Sequence, residues 1–232
     1  MVFGGLQKNS LIDYPGKISA VLFVSGCNFD CPYCHNPELV DSGLPCPQCY
    51  EEGAVCRFLD RRKGLLDGVV LSGGEPTLQK DLARLCEKIK KQGYAIKLDT
   101  NGSRPKVIQT LIDAGLLDYV AMDIKTDPFH YAPFICKHQD PYLILLSIRM
   151  IMESGLPYEF RTTCVKPIVD REHVGRIVKY IQGARLYALQ KCRDCQVLHP
   201  EFFEQKGIGY TDEDMMHLKA AADPWVQRCV VR

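Results

Sequence analysis

The chain has 232 residues, 46% of them hydrophobic and 25% charged, enough to bury a large core without covalent staples. Twenty-nine basic residues against 28 acidic leave a net charge of +1, which excludes a global field that would draw nucleic acid or a membrane surface. The opening residues show no charged head followed by an apolar stretch, and the longest apolar runs, 18–24 and 142–152, are too short to span a bilayer, so a cytoplasmic protein is expected.

Six short runs rich in branched residues, each bounded by turn residues, predict strands at 18–25, 69–72, 95–99, 119–124, 158–164 and 186–190. Helical periodicity fills the gaps. A helix is expected over 51–63. A second should be capped by Thr77, carry Leu78, Leu82, Leu85 and Ile89 on one face and end at Gly93. Further helices are expected over 105–114 and 142–154, closed by Gly115 and Gly155. Another begins at Asp170, carries Val174, Ile177, Val178 and Ile181, and ends at Gly183. Beyond 190 the chain reads as coil until Thr211, which with Asp214 predicts a capping box for a short helix to Ala222. Six strands alternating with five helices imply an α/β fold with parallel pairing, and six units are too few for a closed eight-stranded barrel. An open partial barrel or a strongly curved sheet is therefore expected. No internal repeat or linker interrupts it, so a single domain over 1–232 is expected, with a core of about 18–190 and an extension over 191–232.

Twelve cysteines are many for a compartment where disulfides rarely persist, and point to metal ligands or reactive thiols. Three of them, Cys27, Cys31 and Cys34, lie at C-x3-C-x2-C within eight residues directly after the first strand, in GCNFDCPYCHN. In parallel α/β folds that strand edge is where ligands gather. The spacing suits an iron–sulfur cluster held by one loop, and with three local thiolates a [4Fe–4S] cube would keep one iron open to a small molecule. A zinc site completed by His35 or a distant cysteine is the alternative. The second strand ends in Gly73-Gly74-Glu75-Pro76, where glycines allow close backbone approach to a ligand and the carboxylate can accept from an ammonium group, although an ordinary strand-to-helix turn looks the same. The third and fourth strands end in Asp99-Thr100-Asn101-Gly102 and Met122-Asp123-Ile124-Lys125. Carboxylates and a lysine at neighbouring strand ends are either salt-bridged to one another or bound to something. Arg161, on the fifth strand, reads by itself as a snorkelled or salt-bridged strand arginine.

With these residues together, the chain resembles the radical S-adenosylmethionine enzymes. The C-x3-C-x2-C loop with Tyr33 before its third cysteine carries the resemblance, and GGEP in register supports it. DTNG and MDIK are similar to the glycyl radical activase branch. The opening GLQKNSLIDYPGK, with RRKGLLDGVVLSGGEPTLQ and YVAMDIK, is similar to anaerobic ribonucleoside-triphosphate reductase activating proteins over roughly residues 4–190. The resemblance implies a partial (β/α)6 barrel of parallel strands, open on one side, and a [4Fe–4S] cluster on Cys27, Cys31 and Cys34. Tyr33 and His35 would flank adenine and cluster. S-adenosylmethionine would chelate the open iron through its amino and carboxylate groups, with Gly73, Gly74 and Glu75 holding the amino group. Asp99 and Asp123 would help coordinate a monovalent cation beside the carboxylate, with Asn101, Lys125 and Arg161 in the cofactor pocket. It also implies reductive cleavage to a 5′-deoxyadenosyl radical, fed by a flavodoxin- or ferredoxin-type donor, and a glycyl radical enzyme as partner, anaerobic ribonucleotide reductase in particular. No acid–base pair is needed.

Only about forty residues follow the sixth strand, so no second domain is expected to enclose a small substrate, and a loop of a macromolecule could fill the opening instead. Two C-x2-C pairs stand apart from the cluster loop: Cys46 with Cys49, and Cys192 with Cys195. At one barrel edge they would form a zinc or second iron site; the alternatives are a redox pair or unbound thiols. Cys56, Cys86, Cys136, Cys164 and Cys229 read as small packed hydrophobes.

Overall fold

The structure is a computed structural model, and residues 1–40, 49–166, 168–192, 197–204 and 209–232 are described. These contain nine strands and six α-helices. They separate into two compact units, the first comprising Met1–Asn28, Glu38–Thr100 and Lys106–Val120, the second Phe29–Pro37, Asn101–Pro105 and Ala121–Arg232.

In the first unit the strands are β1 (Val2–Ser10), β2 (Ser19–Val24), β3 (Tyr50–Glu51), β4 (Gly68–Gly73) and β5 (Ala95–Thr100), hydrogen-bonded in the order β3-β1-β2-β4-β5. Strand β1 runs antiparallel to β2 and to β3; β2, β4 and β5 run parallel, with Val21 beside Val70 and Leu71 beside Leu98. Val69, Val70 and Leu71 are fully buried, as a strand covered on both faces requires. Helices α1 (Glu52–Asp60), α2 (Leu82–Lys91) and α3 (Pro105–Asp113) connect them, and α2 buries Leu82, Leu85, Cys86 and Ile89. Strand β6 (Tyr119–Asp123) begins in this unit and ends in the second.

The second unit continues with α4 (Pro141–Glu153), β7 (Tyr158–Cys164), α5 (Arg171–Tyr180), β8 (Tyr187–Lys191), α6 (Asp212–Ala222) and β9 (Cys229–Val231). Strands β7, β8 and β9 are parallel neighbours. Asp170 caps α5 by accepting from the His173 amide, and the Thr211–Asp214 capping box on α6 is formed. The α/β class is as expected: β2, β4, β5, β6, β7 and β8 alternate with α1 to α5, the sheet is mostly parallel, and it does not close into a barrel, since β3 and β9 each have a single strand neighbour.

Three local expectations are corrected. Thr77 does not cap α2. Pro76–Leu78 form a separate 3-10 turn capped by Glu75, the chain extends at Gln79, and α2 starts only at Leu82, so Leu78 is not on its face. Strand β1 was not anticipated because only Phe3 and Ser10 are buried along it, which leaves no two-residue hydrophobic alternation to read. Strand β9 was not anticipated either: three residues are too few for a pattern, and it exists because β8 offers a partner.

Candidate cofactor site

In the first unit, the start of the cysteine loop and the GGEP turn lock together through their backbones. The amides of Gly26 and Cys27 donate to the carbonyls of Leu39 and Val40 at 2.7 and 3.0 Å, and the Glu75 amide donates to the Gly26 carbonyl at 2.8 Å. A methyl group on Gly73, whose φ is +114°, would lie 2.3 Å from the Val24 nitrogen, and one on Gly74 would lie 2.1 Å from the Gly26 oxygen. Both glycines are therefore required by contact with the chain leading into Cys27, where the sequence suggested approach to a ligand. Glu75 is 1% exposed, and its Oε1 accepts from the Thr77 amide (3.0 Å), the Thr77 hydroxyl (2.5 Å) and the Thr100 hydroxyl (2.8 Å). At the end of β5, Asp99 accepts from the Ser72 hydroxyl at 3.3 Å and from the Lys97 ammonium at 2.5 Å. Lys97 belongs to none of the sequence motifs. Its one signal is a cation two residues before Asp99, hence on the same face of an otherwise apolar strand.

In the second unit the rest of the cysteine loop meets the ends of β6 and β7. The Cys34 amide donates to the Cys31 carbonyl at 2.9 Å, closing a turn around Tyr33. The buried Tyr33 hydroxyl donates to the Lys125 carbonyl at 3.4 Å, and the Lys125 amide donates to the Tyr131 hydroxyl at 3.1 Å. The Tyr131 ring stands edge-on to Phe29, 5.5 Å between centroids. Asp123 accepts from Arg161 Nε at 2.7 Å and from Lys125 Nζ at 3.0 Å. Burial would raise the Asp123 carboxyl, but Arg161 and Lys125 outweigh it and hold the group well below the usual carboxylate range. Burial would lower the Lys125 ammonium, but Asp123 and then the thiols of Cys31 and Cys34 push it well above the usual lysine range. Burial raises the Tyr33 phenol far above its ordinary value, and Cys31 and Tyr131 add to this.

Asn101, 6% exposed, accepts from the Ser103 amide at 2.9 Å and so turns its own loop. His35 Nε2 lies 3.6 Å from Cys192 Sγ. The cysteine loop is further tied down by His199, whose amide donates to the Pro32 carbonyl at 3.0 Å and whose Nε2 meets Asp30 at 2.9 Å. Tyr131 and His199 carried no motif in the sequence, because their partners are distant along the chain. Of the two C-x2-C pairs, Cys46 and Cys195 lie outside the described residues, Cys49 is in a disulfide, and Cys192 is buried. Among the described residues, no three His, Cys, Asp or Glu side chains are gathered as for one metal ion.

Cys27, Cys31 and Cys34 are in no disulfide, and three such thiols on one short loop are the donors that an iron–sulfur cluster takes. The Radical SAM superfamily profile matches residues 21–181. The chain belongs to the radical SAM superfamily. One relative, a Methanocaldococcus jannaschii protein named as a glycyl-radical enzyme activating enzyme, is 34% identical over 236 residues, which is 98% of this chain and 94% of its own. The pyruvate formate-lyase-activating enzyme of Clostridium pasteurianum is 37% identical over 199 residues, covering 80% of this chain and 79% of its own. Within the radical SAM superfamily the chain thus belongs with the glycyl-radical enzyme activating enzymes. Among solved structures, Streptococcus suis SuiB bound to S-adenosylmethionine matches with a TM-score of 0.66 over 91% of this chain at 13% identity. The chain spans 51% of SuiB, and that likeness is one of fold. A radical SAM enzyme carries a [4Fe–4S] cluster and uses S-adenosylmethionine. No helix among the described residues is long and apolar enough to cross a membrane.

Proposed function

We propose that this protein is an activase that installs a glycyl radical on the anaerobic ribonucleoside-triphosphate reductase. One observation supports it above the others: the second unit gathers Cys31, Cys34, Tyr33, Lys125, Asp123 and Arg161 through direct bonds and close charges, and these residues come from motifs separated along the sequence. When bound, the cluster and S-adenosylmethionine supply reductive cleavage of the sulfonium and the radical that abstracts hydrogen. The chain's own residues bind and orient. Cys27, Cys31 and Cys34 hold the cluster. Gly73 and Gly74 let the GGEP turn press against the segment entering Cys27, and Thr77 and Thr100 fix the Glu75 carboxylate, which would accept from the cofactor's amino group. Asp99 in the first unit, and Asn101, Asp123, Lys125, Arg161, Tyr33 and His35 in the second, are the further residues that would bind and orient the cofactor. A flavodoxin or ferredoxin in the cytoplasm supplies the electron. Support for the partner comes from the opening GLQKNSLIDYPGK and its resemblance.

A second partner, pyruvate formate-lyase, is favoured by the 37% identity to an enzyme named for activating it. Anaerobic reconstitution tests the reading. The expected result is about four irons per cluster, an EPR signal that shifts on adding S-adenosylmethionine, and cofactor cleavage on reduction, all lost in Cys31→Ala. Cleavage surviving that substitution sinks the assignment. Mixing the reconstituted protein with each candidate partner decides between them: a glycine-centred EPR doublet should arise on the ribonucleotide reductase, and a doublet on pyruvate formate-lyase alone replaces the partner.

A further inference from the structure

Lys97 occupies a place where the strand pattern asks for an apolar side chain. It is 1% exposed, in the middle of β5, paired in register with Val70 of β4. Its ammonium lies 2.5 Å from Asp99 Oδ1 and 5.9 Å from the centre of the Tyr119 ring, which in turn stands edge-on to Tyr14 at 5.9 Å. A buried ammonium persists only with a carboxylate beside it, and an aromatic face adds to the attraction. A carboxylate matched in this way carries little net charge for a second cation, and a monovalent ion brought to Asp99 would also face the like charge of Nζ across a short, poorly screened distance.

We propose that the Lys97 ammonium is the fixed cation of the cofactor site at Asp99, taking the place that the resemblance assigns there to a diffusible monovalent ion. The proposal rests on the S-adenosylmethionine reading above. It follows that cofactor binding should be indifferent to which monovalent cation the solution holds, and that removing the ammonium should create a dependence the native chain lacks.

The test uses the full chain, reconstituted anaerobically, with S-adenosylmethionine titrated calorimetrically at one ionic strength in potassium, sodium or choline chloride. Native Kd should agree within about twofold across the three salts. For Lys97→Met, binding in choline should weaken by tenfold or more and recover in potassium. A native Kd at least tenfold tighter in potassium than in choline overturns the proposal, and so does a Lys97→Met chain that binds equally in all three. A second arm needs no bound cofactor: the native Tm should be the same in potassium and choline, whereas Lys97→Met should gain several degrees from potassium alone. A native chain stabilised by potassium, or a variant indifferent to it, overturns the assignment. If no salt supports cofactor binding, the functional reading fails while the Tm arm still decides the role of Lys97. If Lys97→Met does not fold, the native comparison across salts decides.

Discussion

At Gly74 the distance to the Gly26 carbonyl leaves no space for a side chain, and the atom in the way is backbone, which cannot swing aside. Gly74→Ala should cost about 1–3 kcal/mol, the usual penalty of overpacking. For a chain of this length that lowers the thermal midpoint by roughly 2–12 °C, measured by circular dichroism; an unchanged midpoint would mean the turn can relax. The glycines of GGEP were legible as important, and the contact with the chain before Cys27 is a reason for them that the sequence did not show. A strand followed by two glycines looks the same whether a ligand or another stretch of chain comes close, and only coordinates show that Gly26 does. At Glu75 the donors that the structure shows include Thr100, 25 residues away, which no local pattern announces.

Helix boundaries follow from local chemistry where a cap is self-contained. Asp170 and Thr211 reach donors three residues on, so both N-termini were readable, and Asp170→Ala should cost about 1 kcal/mol, seen as a lowered urea midpoint with unchanged slope. Thr77 misled because Pro76 and the Glu75 carboxylate together favour a single 3-10 turn over a continuous helix. The cysteine loop shows the reach of distant segments on an element. His199 grips it at Asp30, 169 residues away in the chain, and at Pro32. His199→Ala removes the imidazole contact and should leave a chain that folds but retains less iron after reconstitution and gel filtration; iron content equal to the native value would show that the loop holds its shape alone. Strands β1 and β9 belong to the same lesson, since each exists through its neighbour and not through its own pattern.

On the scale of the whole molecule, charge and acid stability are linked. Asp123, Asp170 and Glu52 all have carboxyls held below their ordinary values: at Asp123 and Asp170 burial is outweighed, by Arg161 at the first and by the His173 backbone at the second, and at Glu52 the Lys88 hydrogen bond leads. A carboxyl lowered in the folded state contributes stability that is fully present above its unfolded value, about 4, and is lost as pH falls through the folded value. Urea midpoints should therefore hold steady from pH 7 to about pH 5 and fall below about pH 4. Asp123→Asn should be less stable near neutrality and show a shallower acid decline. An equally steep decline in that variant would assign the acid sensitivity elsewhere.

By itself, the amino-acid order determined the α/β alternation, the three closely spaced thiols, the caps at Asp170 and Thr211, and the family. Each of these is written within a few residues of itself, in strand hydrophobicity, cysteine spacing or a side chain reaching its own backbone. Only the tertiary structure decided that Lys97 is buried against Asp99, that Lys125 lies by Cys31 and Cys34, that Tyr131 supports the Lys125 backbone, and that His199 holds the cysteine loop. Burial and charge pairing depend on which distant segments are brought to a point, and no local pattern carries that information.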